Sequence, residues 1–382
     1  MRASLIIALS VLALATGAAQ AESSKPQVQT AAAPVATQAV QMGRRVAAWQ
    51  LAHMDRFDYV HPHPKTADPR GWVQGALYVG LAAFADRTGD ADLIQAIRAH
   101  GAAQGWALGA RPLHADDHVI GQAWLWAYGK DRDPAQIAPL KTRFDAILAD
   151  PPRADMTFID GTEDQPCQAR WCWSDALFMG PATWIGLSQA TGDPRYAAYG
   201  DQEFWAATDH LFDKQEGLFF RDSRYFDRRD AQGRKIFWSR GNGWVYAGVV
   251  DILKTLPADH PSRPRYEALF RQMSDRLVTL QKADGCWAPS LLAPENAPPE
   301  TSGTGFFVYG LAYGLNHGLL KGAKYEAAVS KGWTALAGAV QPDGKLGWVQ
   351  QIGYAPDNVE ANDTQLYGVG AFLLAASEVG AR

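Results

Sequence analysis

Along the chain, segments that are apolar on nearly every side alternate with segments that are apolar on one side only. Six segments of the first kind begin near Gly71, Asp117, Asp175, Gly241, Ser302 and Asp363. Their spacing of roughly 45 to 65 residues is typical of helical-hairpin repeats with loops of variable length. Six segments of the second kind lie before or between them, the first being TQAVQMGRRVAAWQLAHM and the last AKYEAAVSKGWTALAGAV. The pattern predicts twelve helices in six pairs.

A helix that is apolar all round is typically buried, whereas a one-sided helix lies at the surface. Six buried helices surrounded by six amphipathic helices predict an all-α (α/α)6 barrel, a closed toroid of helical hairpins. An open helical solenoid is the alternative, but solenoid repeats are usually more uniform in length and carry polar caps at both ends. Strand signals are weak and confined to loops.

The start of the chain has the features of a cleavable secretory signal. It carries a basic residue at position 2, an apolar run from Leu5 to Ala15 and an Ala-Gln-Ala sequence that ends at residue 21. We predict a signal peptide over residues 1–21, a flexible leader over 22–37 and a single catalytic domain over 38–382. The protein is therefore expected to be exported, to the periplasm or as a secreted enzyme. A buried N-terminal helix is the alternative.

Composition excludes some partners and leaves others open. The net charge is −4, from 36 basic and 40 acidic residues, so no cationic surface for nucleic acid is expected. No later segment is long and apolar enough to predict a membrane span. The 14 tryptophans suit either sugar binding or a helical core. The sequence predicts a monomer or a weak homo-oligomer.

The three cysteines do not have the number or spacing of a metal site, and no metal or other cofactor is expected. Cys167 and Cys172 could form a disulfide across a short loop, which would leave Cys286 free. The sequence does not decide whether that disulfide forms.

Polar residues cluster where the predicted buried helices begin. In a ring of hairpins these helices run in one direction, so their N-termini meet at one end, which we call the mouth. Helix N-termini carry partial positive charge and suit an anionic ligand. Asp175, in WCWSDALFMGP, lies among apolar residues that would raise the pKa of its carboxyl group, as a general acid requires. We predict Asp175 and Asp117 as the catalytic carboxyl groups, with Asp116 as an alternative to Asp117.

Further residues near the same helix starts are predicted to bind substrate: Trp72, Asp116, His118, Gln122, Trp173, Arg221, Arg240, Asn242, Trp244, Thr301 and Ser302. Each has a structural alternative, because Asp, Ser, Thr and Asn are the usual helix caps. Arg240 could clamp a ligand carboxylate with both guanidinium arms. Alternatively, Arg240 could pair with Asp117 or Asp175.

Five segments resemble the unsaturated rhamnogalacturonyl hydrolases of glycoside hydrolase family 105, which are relatives of the unsaturated glucuronyl hydrolases of family 88. The segments are GWVQGALYVGL, ADDHVIGQ, WCWSDALFMGPATWIGLSQATGDPRY, FWSRGNGWVYAG and ETSGTGFFVYGLAYGL. The similarity extends from about Val46 to the C-terminus. The resemblance implies an (α/α)6 barrel that hydrates the 4,5 double bond of a terminal unsaturated uronic acid left by polysaccharide lyases. It also implies that Asp175 is the catalytic acid/base, and that Asp117 has the second carboxylate role.

One segment departs from the pattern of that family. Where rhamnogalacturonan-active members have a largely neutral stretch, this chain has GLFFRDSRYFD, with Arg221, Asp222 and Arg224. Extra guanidinium groups suit extra negative charge, so a sulfated or glucuronic-acid-linked substrate is an alternative to rhamnogalacturonan. Arg221 could instead pair with Asp222 or Asp227 on a solvated loop.

Three other functions remain open from the sequence alone. One is a conventional inverting glycosidase that acts on saturated sugars with Asp175 as acid and Asp117 as base. Another is a sugar epimerase that uses His114 and His118. The third is a non-catalytic carbohydrate-binding protein, in which the aspartates are only helix caps.

Overall fold

The computed structural model describes Met1 and residues 32–161, 165–353 and 355–382. The predicted signal peptide lies outside the described residues after Met1, and so does the leader as far as residue 31. The first described helix begins at Ala32, so six residues that were predicted as leader belong to a helix.

Fourteen α-helices make up most of the described chain. In chain order they are α1 (Ala32–Leu51), α2 (Pro64–Ala67), α3 (Trp72–Thr88), α4 (Ala91–Ala103), α5 (Ile120–Asp131), α6 (Ala138–Ala149), α7 (Ala176–Met179), α8 (Pro181–Thr191), α9 (Pro194–Leu211), α10 (Ser239–Thr255), α11 (Arg263–Leu280), α12 (Thr301–Asn316), α13 (Ala323–Gly338) and α14 (Leu366–Val379). Short 3-10 helices span Ala115–Asp117, Pro134–Gln136, Pro166–Arg170 and Ser223–Tyr225. Strands β1 (Phe212–Asp213) and β2 (Leu218–Phe219) pair antiparallel, with Phe212 opposite Phe219.

The helices form two concentric rings. The inner ring contains α3, α5, α7 with α8, α10, α12 and α14. Each inner helix contacts the next, and α14 returns to contact α3, so the ring is closed. The outer helices α1, α4, α6, α9, α11 and α13 alternate with them along the chain. The closed ring confirms the predicted (α/α)6 barrel and excludes the open solenoid.

Burial follows the sequence pattern in both rings. Every residue of α14 is buried, as the apolar composition of that segment predicts. On the outer helix α11 the buried residues recur every three or four positions, at Tyr266, Leu269, Phe270, Met273, Ser274 and Leu277. Where the last inner helix meets the first, a Cβ atom on Gly80 would lie 2.4 Å from the carbonyl oxygen of Gly370. Only residues without a side chain allow the two backbones to approach this closely and close the ring.

The described part of the chain contains no helix that is both long enough and apolar enough to cross a membrane. Cys167 and Cys172 form a disulfide, and Cys286 is a buried free thiol. The disulfide lies just before Trp173, so it ties together the loop that leads into α7.

Candidate active site

Asp175 stands at the start of the interrupted inner helix formed by α7 and α8. It occupies the N-cap position of α7, but its side chain makes no capping hydrogen bond. Its carboxylate Oδ2 instead accepts a hydrogen bond of 2.8 Å from the hydroxyl of Ser174. Burial raises the pKa of Asp175, although the positive charge of Arg221 and the Ser174 hydrogen bond oppose the rise. A cap role therefore does not explain Asp175, and its carboxyl group holds a proton to a higher pH than an exposed aspartate does.

The pKa values of the neighbouring residues Asp116 and Asp117 are shifted in opposite directions. The Asp117 carboxylate accepts hydrogen bonds from the backbone N–H of Arg111 at 2.5 Å and from its Nη2 at 2.6 Å. Burial alone would raise the pKa of Asp117, but these hydrogen bonds outweigh it and lower the pKa. Gly109 makes room for this pair, because a Cβ atom there would lie 2.5 Å from Asp117 Cγ. Asp117 is thus committed to a structural ion pair.

The Asp116 carboxyl group is held less tightly than that of Asp117. Its Oδ2 lies 3.6 Å from Arg111 Nη2, longer than a hydrogen bond. Burial raises the pKa of Asp116, and the positive charges of Lys65 and Arg111 offset this only in part. The negative charge of Asp116 in turn contributes to the raised pKa of Asp175.

Four cations lower the pKa values of these two carboxyl groups: Arg221 acts on both, Lys65 and Arg111 act on Asp116, and Arg240 acts on Asp175. Arg221 opposes the pKa rise of both Asp116 and Asp175, so its guanidinium lies near both. The backbone holds Arg221 there, because its carbonyl oxygen accepts a hydrogen bond of 2.8 Å from the N–H of Ser174. Lys65, an exposed residue of α2, is the larger of the opposing charges on Asp116. The mouth therefore combines two protonatable carboxyl groups with at least two positive charges.

An aromatic wall lies on another side of the mouth. Trp72, which is partly exposed, stacks on Tyr367 with ring centroids 5.2 Å apart. Trp244 is fully buried behind them and meets Trp72 edge-on at 6.3 Å. Trp72 is thus the indole with a face available to a sugar ring, and the structure corrects the prediction that Trp244 contacts substrate. Its role is to support Trp72.

The structure also corrects the prediction for Arg240. Its side chain is 1% exposed, and its guanidinium donates to the backbone carbonyl oxygens of Gln350 and Gln351 at 2.9 and 3.0 Å. The guanidinium lies over the rings of Trp238 and Tyr367. Both Nη atoms of Arg240 are therefore engaged within the protein, although its positive charge still lowers the pKa of Asp175. Arg240 holds the loop before α14 against α10.

Three more residues predicted to bind substrate have structural roles. Asn242 is fully buried, and its side-chain amide brackets Phe219 with hydrogen bonds of 2.8 and 3.0 Å to the backbone N–H and carbonyl. Thr301 donates to the carbonyl oxygen of Gly347 at 2.9 Å. The Ser302 hydroxyl donates to Glu300, whose carboxylate caps α12. The side chains of all three therefore form hydrogen bonds within the protein.

His118, Gln122 and Trp173 do not serve the mouth directly either. The His118 ring is 1% exposed, with Nε2 2.8 Å from the carbonyl oxygen of Pro112 and Nδ1 3.4 Å from Trp184 Nε1. Gln122 donates to the carbonyl oxygen of Phe178 and lines a cavity at the other end of the ring. Trp173 is buried beside the His114 ring, whose Nδ1 accepts from the N–H of Asp116 at 3.2 Å. Burial lowers the pKa of His114 to about 3.

Sequence reasoning missed Arg111, Lys65 and Tyr367. Arg111 precedes the acidic pair by only a few residues, so its proximity was a signal that could have been read. Lys65 lies on a separate short helix and Tyr367 on the last inner helix, so only the closed ring brings them to Asp116 and Trp72.

A closed double ring of helices with two protonatable carboxyl groups, neighbouring cations and a partly exposed tryptophan at its mouth is the architecture of a carbohydrate-active hydrolase. Residues 43–382 match the model of Glycosyl Hydrolase Family 88. The chain belongs to this family.

Similar proteins agree with this assignment. The chain is 40% identical to the unsaturated 3S-rhamnoglycuronyl hydrolase of Alteromonas sp., over 96% of this chain and 95% of that protein. It is 37% identical to the protein of the same name from Formosa agariphila, over 84% of this chain and 88% of that protein. The solved structure of a glycosyl hydrolase family 88 protein from Bacteroides vulgatus has a TM-score of 0.79 and 28% identity, over 91% of this chain and 99% of the other.

The function predicted from the sequence is thereby confirmed. The enzyme is a glycosidase that removes an unsaturated uronic acid from oligosaccharides. The conventional glycosidase, the epimerase and the binding protein that the sequence left open are set aside.

Proposed function

We propose that Asp175 is the acid that starts the reaction and that Asp116, in place of Asp117, is the second catalytic carboxyl group. The observation that carries this proposal is the electrostatic coupling of Asp116 to Asp175, while Asp117 is held by Arg111. Asp175 donates its proton to carbon 4 of the unsaturated ring, and positive charge develops at carbon 5 and the ring oxygen. Asp116 stabilises that charge and orients the water that adds at carbon 5, and this water gives up a proton that returns to the Asp175 carboxylate. The resulting hemiketal opens and releases the rest of the oligosaccharide.

Arg221 and Lys65 hold the carboxylate of the unsaturated uronic acid in this proposal. Both are close enough to the acidic pair for their charges to affect the pKa of Asp116. The positive charges of Arg221 and Lys65 would balance the negative charge of a substrate carboxylate bound between them. Without these cations the two aspartates would repel that carboxylate. Trp72 would cover the apolar face of the sugar ring.

We further propose that the released partner is a sulfated rhamnose. The relatives named above are unsaturated 3S-rhamnoglycuronyl hydrolases, and this chain has an arginine-rich loop beside its mouth. Arg221 and Arg224 both bind the fully buried carboxylate of Asp222, at 2.5 and 2.8 Å, and both lie over the ring of Phe158. Arg228 pairs with Asp160 at 3.4 Å.

Asp222 therefore fixes two guanidinium groups in one place, and residues 221–230 keep a positive excess of four arginines over three aspartates. The Arg221–Asp222 pair that the sequence left open is formed, but Asp222 is completely buried, so the pair does not lie on a solvated loop. Sulfate is the anionic group on a neutral deoxysugar that such a cluster would recognise.

The substrate proposal is tested with matched unsaturated disaccharides that differ only in the sulfate on the rhamnose. Loss of the ultraviolet absorbance of the conjugated enoic acid follows the reaction. We expect kcat/KM to fall roughly 10-fold or more without the sulfate, as loss of one charge-assisted contact predicts. Arg224→Gln should reduce the ratio of kcat/KM for the sulfated disaccharide to kcat/KM for the unsulfated one. Arg229→Gln, at an exposed position of the same loop, should leave this ratio unchanged. Equal kcat/KM for the two disaccharides would contradict the sulfate proposal while leaving the hydration reaction standing.

We also propose that the enzyme is exported to the periplasm and acts as a monomer or a weak homo-oligomer. Residues 1–21 have the pattern of a signal peptide, and the Cys167–Cys172 disulfide suits an oxidising compartment. One chain closes the ring and completes the mouth, so the site requires no second copy. Cell fractionation of the full chain and of a variant that lacks residues 2–21 tests export. Light scattering of the purified protein tests the assembly.

A further inference from the structure

A second cavity lies at the opposite end of the ring, where the inner helices end. It has a volume of about 600 Å³, and all six inner helices contribute to its lining. This size is in the range of pockets that hold small organic ligands. Among the described residues that line it, none is Asp175, Asp116 or Arg221. The cavity is therefore separate from the mouth.

The charged groups in this cavity largely neutralise one another. Its lining includes three acidic residues, Asp86, Asp251 and Glu378, and three basic residues, Arg87, Arg132 and Lys254. Lys254 pairs with Glu378 at 2.7 Å, and Arg87 donates to the carbonyl oxygen of Ser377 at 2.9 Å. Asp86 pairs with Lys130 at 2.7 Å. A cavity with balanced and internally paired charge does not select a strongly charged ligand.

Two polar atoms of lining residues have no hydrogen-bond partner within the described part of the chain. They are the indole N–H of Trp126 and carboxylate Oδ2 of Asp251, both buried. The other Asp251 oxygen accepts a hydrogen bond of 2.6 Å from the hydroxyl of Tyr309, which fixes the carboxyl group. Buried polar atoms are rarely left unpaired, so a donor and an acceptor here point to a ligand or to water.

The unpaired indole N–H of Trp126 and the unpaired carboxylate oxygen of Asp251 limit the kinds of ligand that could pair with both. A hydroxyl group accepts from the indole and donates to the carboxylate, whereas an ammonium group cannot accept and a carboxylate cannot donate. Trp126 and Tyr128 are partly exposed in the lining and add apolar surface of the kind that covers the C–H faces of sugars, whereas Tyr309 is fully buried. We propose that this cavity is a second binding site, separate from the catalytic one, that takes a single neutral sugar residue.

The test is binding of methyl α-rhamnopyranoside, a neutral probe, to the full-length protein by ligand-observed NMR titration. Trp126→Phe keeps the ring and removes the N–H group, and Asp251→Asn keeps the shape and removes the charge. Each should weaken binding roughly 2- to 10-fold, the effect of one hydrogen bond. Ala190→Phe places a ring in the cavity and should abolish binding. The three variants should retain wild-type kcat on unsaturated disaccharide, which also shows that they fold.

Asp175→Asn is the matched variant for the other site and should bind the probe as the wild type does. Binding that survives Ala190→Phe but disappears in Asp175→Asn would place the sugar in the mouth and overturn the proposal. Absence of saturable binding to the wild type would overturn it too. Should Ala190→Phe fail to fold, unchanged affinity in both Trp126→Phe and Asp251→Asn would have the same consequence. None of these outcomes depends on the identity of the catalytic substrate.

Discussion

Arg111 holds the carboxylate of Asp117 from two directions, with its backbone N–H at 2.5 Å and its guanidinium Nη2 at 2.6 Å. The pKa of Asp117 is lowered, whereas the pKa of the adjacent Asp116 is raised by burial. The pKa values of two consecutive aspartates are therefore shifted in opposite directions. Asp117 is held in an ion pair with Arg111, and we propose that Asp116 takes part in the reaction.

Asn substitutions at the two positions should have different effects. Asp116→Asn should lower kcat roughly 10²-fold or more with little change in the free energy of unfolding, because it removes a charge from the mouth. Asp117→Asn should lower the free energy of unfolding by about 1–2 kcal/mol. This is the usual contribution of a charge-assisted hydrogen bond, reduced because Arg111 is half-exposed. Urea unfolding and steady-state kinetics separate the effects. If Asp117→Asn caused the larger loss of kcat in a stable protein, Asp117 would be the second catalytic group.

Asp175→Asn should lower kcat by about 10²–10⁴-fold, the usual contribution of general acid catalysis. The amide has the same shape and can keep the Ser174 hydrogen bond, so thermal unfolding should change little. Asp160→Asn is the control, because that carboxylate lies beside the arginine loop with 71% of its side chain exposed. Retention of more than a tenth of wild-type kcat by Asp175→Asn would remove Asp175 from the role of acid.

The rate should depend on the raised pKa of Asp175. Because the protonated form donates to substrate, kcat/KM should fall as pH rises through that pKa. The Ser174 hydrogen bond lowers the pKa of Asp175, so Ser174→Ala should move this alkaline limb to higher pH. The measurement is kcat/KM as a function of pH for both proteins. Ser188→Ala, which loses a hydrogen bond to the backbone of Asp193, should leave the limb unchanged. A shift to lower pH in Ser174→Ala would contradict the assignment.

Acid should destabilise the fold through His118. Burial lowers the pKa of His118 from 6.5 to about 4, so between these pH values the unfolded chain binds a proton that the folded protein does not. The contribution of neutral His118 to the free energy of unfolding is therefore complete above about pH 6.5 and is lost as pH falls towards 4. For such a shift this contribution is on the order of 3 kcal/mol.

Urea unfolding at several pH values checks the role of His118. His118→Gln should show a weaker dependence on pH than the wild type, even though it is less stable at neutral pH. His61→Gln, at an exposed histidine, should keep the wild-type dependence. An unchanged slope in His118→Gln would show that other groups control acid unfolding.

The hydrophobic pattern determined the fold. Helices such as α14, apolar at every position, can only be buried, and one-sided helices such as α11 can only cover them, so the alternation predicts a closed double ring. The sequence also predicted that Asp175 is desolvated, because it lies between Trp173 and a buried apolar helix, and burial does raise its pKa. In the sequence, however, a polar residue at a helix start looks the same whether it caps the helix, forms hydrogen bonds within the protein or binds substrate. For that reason Arg240, Asn242, Thr301 and Ser302 were assigned to substrate.

Tertiary structure alone decided which polar groups remain available at the mouth. The carbonyl oxygens that engage Arg240 belong to Gln350 and Gln351, more than a hundred residues away, and no local pattern reports such pairing. The choice of Asp116 over Asp117 follows from where Arg111 reaches once the loop is folded. Closing the ring engages polar side chains such as Arg240, Asn242 and Thr301 in hydrogen bonds within the protein, and these bonds join residues that are far apart in sequence.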